Sequence, residues 1–327
     1  MGFFDLALTN LTSPAVLFFL LGIFAAAVRS DLSIPQQTAK AIALYLMMAI
    51  GFKGGAAVSE QGWSSTLGLT LIFSVVVASA LPLIAYPLLR LMTRLSALDA
   101  AAVAGHYGSI SVVTFVAATQ ALDQIGVRYE GFMVAAAAMM ETPAIAIALL
   151  LARRHLKSET STKTPVSQLL REVLFNGSIV ILVGAFMIGI ISGKAGLEQA
   201  KPFLVTPFKG VLMLFLLDMG LVAGRSVGQA RRSISATVVL FGLVMPLIGG
   251  VIAAVGAPHV GLGVGGVALM ITLCASASYI AVPAAMRIAL PEANPAIYLT
   301  LSLGITFPFN LTVGIPIYIA MARFVAG

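Results

Sequence analysis

Apolar runs and polar interruptions alternate along this chain so as to divide it into ten stretches of membrane-spanning length. Windows bounded by charge or by Pro/Gly clusters predict helices near 14–29, 37–58, 65–92, 99–122 and 130–152, then near 168–192, 203–224, 233–255, 261–289 and 295–323. Apolar runs of about 17–25 residues are long enough to cross a hydrocarbon core about 30 Å thick. The one extended polar, Ser/Thr-rich stretch is Arg153–Glu172. It divides a first five-helix unit over 1–152, through a connector over 153–167, from a second five-helix unit over 168–327. Pro14–Val28 lacks a basic leader and is followed by further spans, so it is expected to be a first helix rather than a cleaved signal.

Composition removes the soluble alternative. Mean hydropathy is +1.05, with 60% hydrophobic and only 9% charged residues, where soluble chains carry roughly 25% charged residues. In a soluble protein the net charge of +7 would suggest nucleic acid; here the basic residues sit mainly between spans and report topology, so the expected partner is the lipid bilayer. Arg29, Lys40, Arg90, Arg94, Arg153, Arg154, Lys157, Lys163, Arg171, Arg225, Arg231, Arg232 and Arg287 fall on one side. Arg128, Lys194, Lys201, Lys209 and Arg323 fall on the other, and Lys53 lies within a span. The bias puts the connector in the cytoplasm and both termini outside. A single cysteine, Cys274, excludes an intramolecular disulfide framework and a multi-cysteine metal site.

The second half echoes the first at a constant shift of 169 residues. Gly51 and Gly55 land on Gly220 and Gly224, Gly108-Ser109 on Ala277-Ser278, and Glu141 on Asn310. With five spans per unit, the second copy starts on the opposite side of the membrane, which gives an all-α, inverted-topology repeat of the kind secondary transporters use. The G-x-x-x-G pairs are read as close backbone packing rather than ligand contact.

The fourth and ninth spans carry the chemistry. Gly105-His106-Tyr107-Gly108-Ser109-Ile110-Ser111-Val112-Val113-Thr114 and Cys274-Ala275-Ser276-Ala277-Ser278-Tyr279-Ile280-Ala281-Val282-Pro283 place small and hydroxyl residues midway along apolar stretches. Pro283 suits the first turn of a second half-helix, where its missing N–H is harmless. If both spans break there, two half-helix N-termini meet near the midplane and favour an anion. Gly108, Ser109, Ser111, Thr114, Ser276, Ala277 and Ser278 are then the candidate anion-binding residues. The competing reading has the hydroxyls bonded to backbone within continuous helices. Glu141, Asn310, Ser111 and Asp218 are the candidate sodium ligands, because an ionised group inside a bilayer needs a partner or water. Glu141 equally suits a structural hydrogen bond, a structural pairing or an interfacial location is expected for Asp218 and Lys53, and His106 is expected to be a satisfied interior histidine rather than a proton relay.

At these residues the chain resembles the SbtA-type sodium-dependent bicarbonate transporters. The resemblance runs through Ser13-Pro14, Ile50–Gly55, Gly105–Ser111, Phe215–Gly220, Ala275–Ala285 and Ile305–Pro316. It implies sodium-coupled bicarbonate uptake, sodium as the coupling ion, a homotrimer in a bacterial inner membrane, and in cyanobacterial members a PII-like cytoplasmic regulator. Where that family's first broken helix resembles S-G-S-T, this chain reads Ser111-Val112-Val113-Thr114, which removes one donor and adds bulk. An alternative keeps the carrier but changes the cargo to another small organic anion, coupled to sodium or protons. A channel or an intramembrane enzyme are the readings from other classes. H-E-x-x-H does not occur, and the chain is not expected to be an enzyme.

Overall fold

A computed structural model describes residues 3–62, 64–153, 177–230 and 235–327. Apart from Arg153, the connector predicted over 153–167 lies outside them, as do the first residues of the span predicted from 168. Among the described residues the chain is all helical, with no strand. A short helix absent from the hydropathy reading, α1 (Phe3–Leu11), precedes α2 (Pro14–Ala27) and is bent from it by 61°. Ser13 and Pro14 set that corner. The Ser13 hydroxyl accepts from the Val16 N–H, and Pro14 occupies the first turn, where no donor is needed.

There follow α3 (Gln36–Gln61), α4 (Ser65–Met92), α5 (Ala97–Gly108), α6 (Val112–Gln124) and α7 (Met133–Arg153). Beyond the connector come α8 (Gly177–Leu204), α9 (Phe208–Ala230), α10 (Ala236–Gly256), α11 (Val264–Cys274), α12 (Ala281–Ala289) and α13 (Pro295–Ala326). Seven of these units are long and apolar enough to cross a membrane: α3, α4, α5 with α6, α7, α8, α10 and α13. The bent α1–α2 pair makes an eighth. Large apolar side chains such as Leu69, Ile72, Val76 and Leu83 on α4, and Val180, Val183, Met187 and Ile191 on α8, are exposed. In water they would be a liability; against acyl chains they are the expected surface.

The helices pack reciprocally across the two halves. The second helix of the first half, α3, lies on α8, and α9 lies on α2. Both contacts are made backbone to backbone at glycines. A methyl group on Gly51 would strike the Leu182 carbonyl oxygen, on Gly55 that of Phe186, and on Gly189 that of Phe52. At the other contact Gly22 faces the Leu217 carbonyl and Gly220 that of Phe19. Such approach is how membrane helices gain contact without a hydrophobic driving force between them. Inside these pairs, α4, α5 and α7 pack together, and so do α10, α11 and α13.

Two regions depart from the hydropathy reading. Residues 193–202, which fall between the spans expected near 168–192 and 203–224, are helical, and α8 runs on to Leu204 beyond a kink at Gly193, whose φ of 57° and ψ of −153° are glycine territory. This stretch is rich in Ala, Lys, Glu and Gln, all good helix formers, with Lys201 3.2 Å from Glu198 one turn away. Helix α13 is π-helical over Thr300–Thr306 and Asn310–Gly314. Asn10 of α1 donates to the Leu311 carbonyl at 2.7 Å, so the N-terminal helix is tied to the second π segment.

Candidate functional site

Both informative spans are broken. The first breaks at Ser109–Ser111, between α5 and α6, and the second over residues 275–280, between α11 and α12. Ser111 caps α6, its hydroxyl accepting from the Thr114 N–H at 3.1 Å and from the Thr114 hydroxyl at 2.9 Å. With both acceptor positions used, the Ser111 proton is left to donate elsewhere. Val112 and Ala281, the first residues of α6 and α12, line one cavity of about 10 Å³, room for roughly one water-sized species. Ser111, Ser278 and Glu141 line it as well, together with Met47, Ile110, Tyr279 and Ile280.

The breaks are bonded to each other in both directions. The Ser111 N–H donates to the Ser276 hydroxyl at 2.8 Å, and Ser276 passes its own proton to the Leu273 carbonyl at 2.8 Å. In return the Ser278 N–H donates to the His106 carbonyl at 2.8 Å. Asn310 supports the second break from α13: its amide donates to the Ala275 carbonyl at 2.8 Å and accepts from the Tyr318 hydroxyl at 2.6 Å.

The residues singled out from the sequence thus separate by position. Ser111, Ser278 and Glu141 share the cavity wall. Thr114 and Ser276 are committed to the bonds that shape the breaks, and Asn310 braces one of them. Gly108 packs on the Pro82 ring, Ala277 is buried, and the buried Ser109 hydroxyl has no partner among the described residues. Asp218 lies elsewhere, on the wall of a chamber of about 1470 Å³ bounded by α3, α8 and α9. Lys53 is 5.8 Å from the Phe208 ring. His106 bonds the Ala102 carbonyl through Nδ1 at 2.7 Å and stacks on Tyr298, while Nε2 has no partner among the described residues.

Tyr279 and Met47 were not selected by sequence reasoning. Tyr279 directly follows the second serine cluster, which could have marked it; Met47 comes from another helix and carries no such signal. Behind the first break Thr306 donates to the Gly242 carbonyl at 2.7 Å, so Tyr107, 2.6 Å away, must be the donor to Thr306. Thr306→Val leaves two buried polar groups unpaired and is expected to cost about 2–6 kcal/mol, Tyr107→Phe less than half as much. Unfolding midpoints of the purified protein in detergent check the order.

Comparison with known protein families matches residues 14–323 to the Na+-dependent bicarbonate transporter superfamily. That span includes both breaks, the cavity between them and every candidate site residue. The chain belongs to this superfamily. No curated protein matches it significantly. The superfamily assigns a transporter rather than an enzyme, with sodium-dependent bicarbonate transport as its general activity. Among the described residues no three His, Cys, Asp or Glu side chains cluster as a metal centre. Hydroxyls, carbonyls and a single carboxylate are nonetheless adequate for a hard cation such as sodium, which takes oxygen ligands.

Proposed function

We propose that this chain takes up bicarbonate together with sodium, by alternating access across a bacterial inner membrane, and binds the anion between the two half-helix N-termini. The observation that carries the reading is the convergence of Val112 and Ala281 on a cavity that also holds Ser111, Ser278 and Glu141. Two helix starts direct partial positive charge at one point, and the Ser111 proton and Ser278 hydroxyl add donors. Glu141 supplies a carboxylate for the cation, and Asn310 keeps the second break in shape beside it. Asp218, in the adjoining chamber, is a candidate second cation contact.

Ten spans in two inverted five-helix units complete the architecture, with α9 and the α11–α12 pair as spans alongside the eight above. The reciprocal contacts, α3 on α8 and α9 on α2, support that arrangement. Both termini face outward and the connector faces the cytoplasm. The resemblance implies a homotrimer, and a PII-like protein, as cyanobacterial members use, is a candidate partner at the cytoplasmic face. Val112, on the cavity wall at the start of α6, favours a second version of the cargo, a small organic anion with an apolar part.

Proteoliposomes are expected to accumulate labelled bicarbonate down a sodium gradient and to stop when choline replaces sodium. Ser111→Ala with Ser278→Ala should reduce this uptake at least tenfold without loss of the folded protein. Uptake that ignores sodium, or a double variant that transports normally, overturns the reading; stronger competition by short carboxylates than by bicarbonate moves it to the organic anion.

A further inference from the structure

The Glu141 carboxylate has a feature that anion binding alone does not use. The side chain is 4% exposed and lines the small cavity, yet among the described residues it makes no hydrogen bond and no ion pair. No Lys, Arg or His lines the cavity with it. A buried carboxylate left in this state is expensive and calls for a positive partner.

We propose that Glu141 makes anion binding conditional on sodium, so that the cation enters first and bicarbonate follows. This rests on the reading above, in which the anion lies between the half-helix N-termini. Each helix start is equivalent to roughly half a positive charge, and two of them about balance the ionised Glu141. An anion arriving alone meets no net attraction. Sodium beside Glu141 restores about one positive charge, and the same helix starts then attract bicarbonate. Size points the same way, since a cavity of about 10 Å³ accepts a water-sized ion before it must widen for a three-oxygen anion. For unit charges about 6 Å apart at an effective dielectric constant of about 20, the coupling corresponds to roughly a hundredfold in affinity.

Calorimetric titration of the purified full-length protein in detergent tests the order directly. Sodium chloride is expected to bind saturably without bicarbonate. Choline bicarbonate should bind roughly a hundredfold more weakly than bicarbonate added after sodium. Glu141→Gln should abolish most of that difference, with affinity in choline rising toward the sodium-loaded value, while Glu141→Asp keeps the sodium dependence. Equal bicarbonate affinity in choline and sodium for the unaltered protein, or an intact hundredfold dependence in Glu141→Gln, overturns the proposal. The Ser111→Ala, Ser278→Ala double variant separates this failure from failure of the site itself. If it binds bicarbonate normally, the anion site is elsewhere; if it binds weakly while Glu141→Gln retains the sodium dependence, the site stands and Glu141 is not its switch.

Discussion

Gly220→Leu is expected to leave no correctly folded protein. A side chain at this position meets the Phe19 carbonyl oxygen and the Gly22 Cα, both main-chain atoms of α2, so there is no rotamer to yield. Overpacking against movable side chains costs about 1–3 kcal/mol. Here α2 and α9 would have to separate along their length, a loss comparable with the whole net stability of an ordinary domain, about 5–15 kcal/mol. Gly210→Leu, on the same helix, is the control, because nothing lies within 4 Å of a methyl group there. Its expected effect is within about 0.5–1 kcal/mol. Size-exclusion profiles and thermal unfolding of detergent-solubilised protein distinguish the two. A monodisperse Gly220→Leu protein with an unchanged midpoint would contradict the backbone-contact account.

Asn310→Leu is expected to abolish uptake while leaving part of the protein folded. The substitution strands the Ala275 carbonyl and the Tyr318 hydroxyl in the interior. At about 1–3 kcal/mol for each buried unsatisfied group, the combined cost is about 2–6 kcal/mol. The freed carbonyl belongs to the break that leads into Ser276 and Ser278, so the loss falls on the cavity as well as on stability. Asn310→Asp keeps the shape but sets an acceptor against the Ala275 carbonyl, and should fail similarly. Thr312→Val two residues on removes only a bond to the Pro308 carbonyl of its own helix and should transport nearly normally. Uptake normalised to folded protein recovered from the membrane is the measurement. Equal activities for Asn310→Leu and Thr312→Val would show that the brace is dispensable.

Much of this was legible in the amino-acid pattern, and the portion that was not has a common cause. Apolar length located the helices because transfer free energy depends on composition alone, and the breaks stood out because Ser, Gly and Pro interrupt that composition. Gly51, Gly55 and Gly220 were read correctly as packing positions. Their partners were not: nothing in IGFKGG names Phe186 as the residue whose carbonyl sits against Gly55. The pairing of α3 with α8 belongs to the tertiary fold, which hydropathy does not encode. The same holds for hydroxyls. Ser276 and Ser278 look equivalent in the sequence, yet one is consumed by the Ser111 N–H and the Leu273 carbonyl while the other lines the cavity. Residues 193–202 and α1 escaped for a different reason: short helices need not be apolar throughout, so a search for membrane length passes over them.

The paired bonds between the two breaks have a mechanical meaning. Ser111 reaches across to Ser276, and Ser278 reaches back to His106. Sliding one broken helix past the other would open both bonds in an interior without water to replace them, so relative displacement is the stiff coordinate. Displacement of the two together against α2, α3, α8 and α9 breaks neither. Under the proposed uptake, whatever the cavity holds would travel with the walls that the two breaks supply and leave Met47 of α3 behind, so translocation becomes a question of where this laced block stands rather than of how it is shaped.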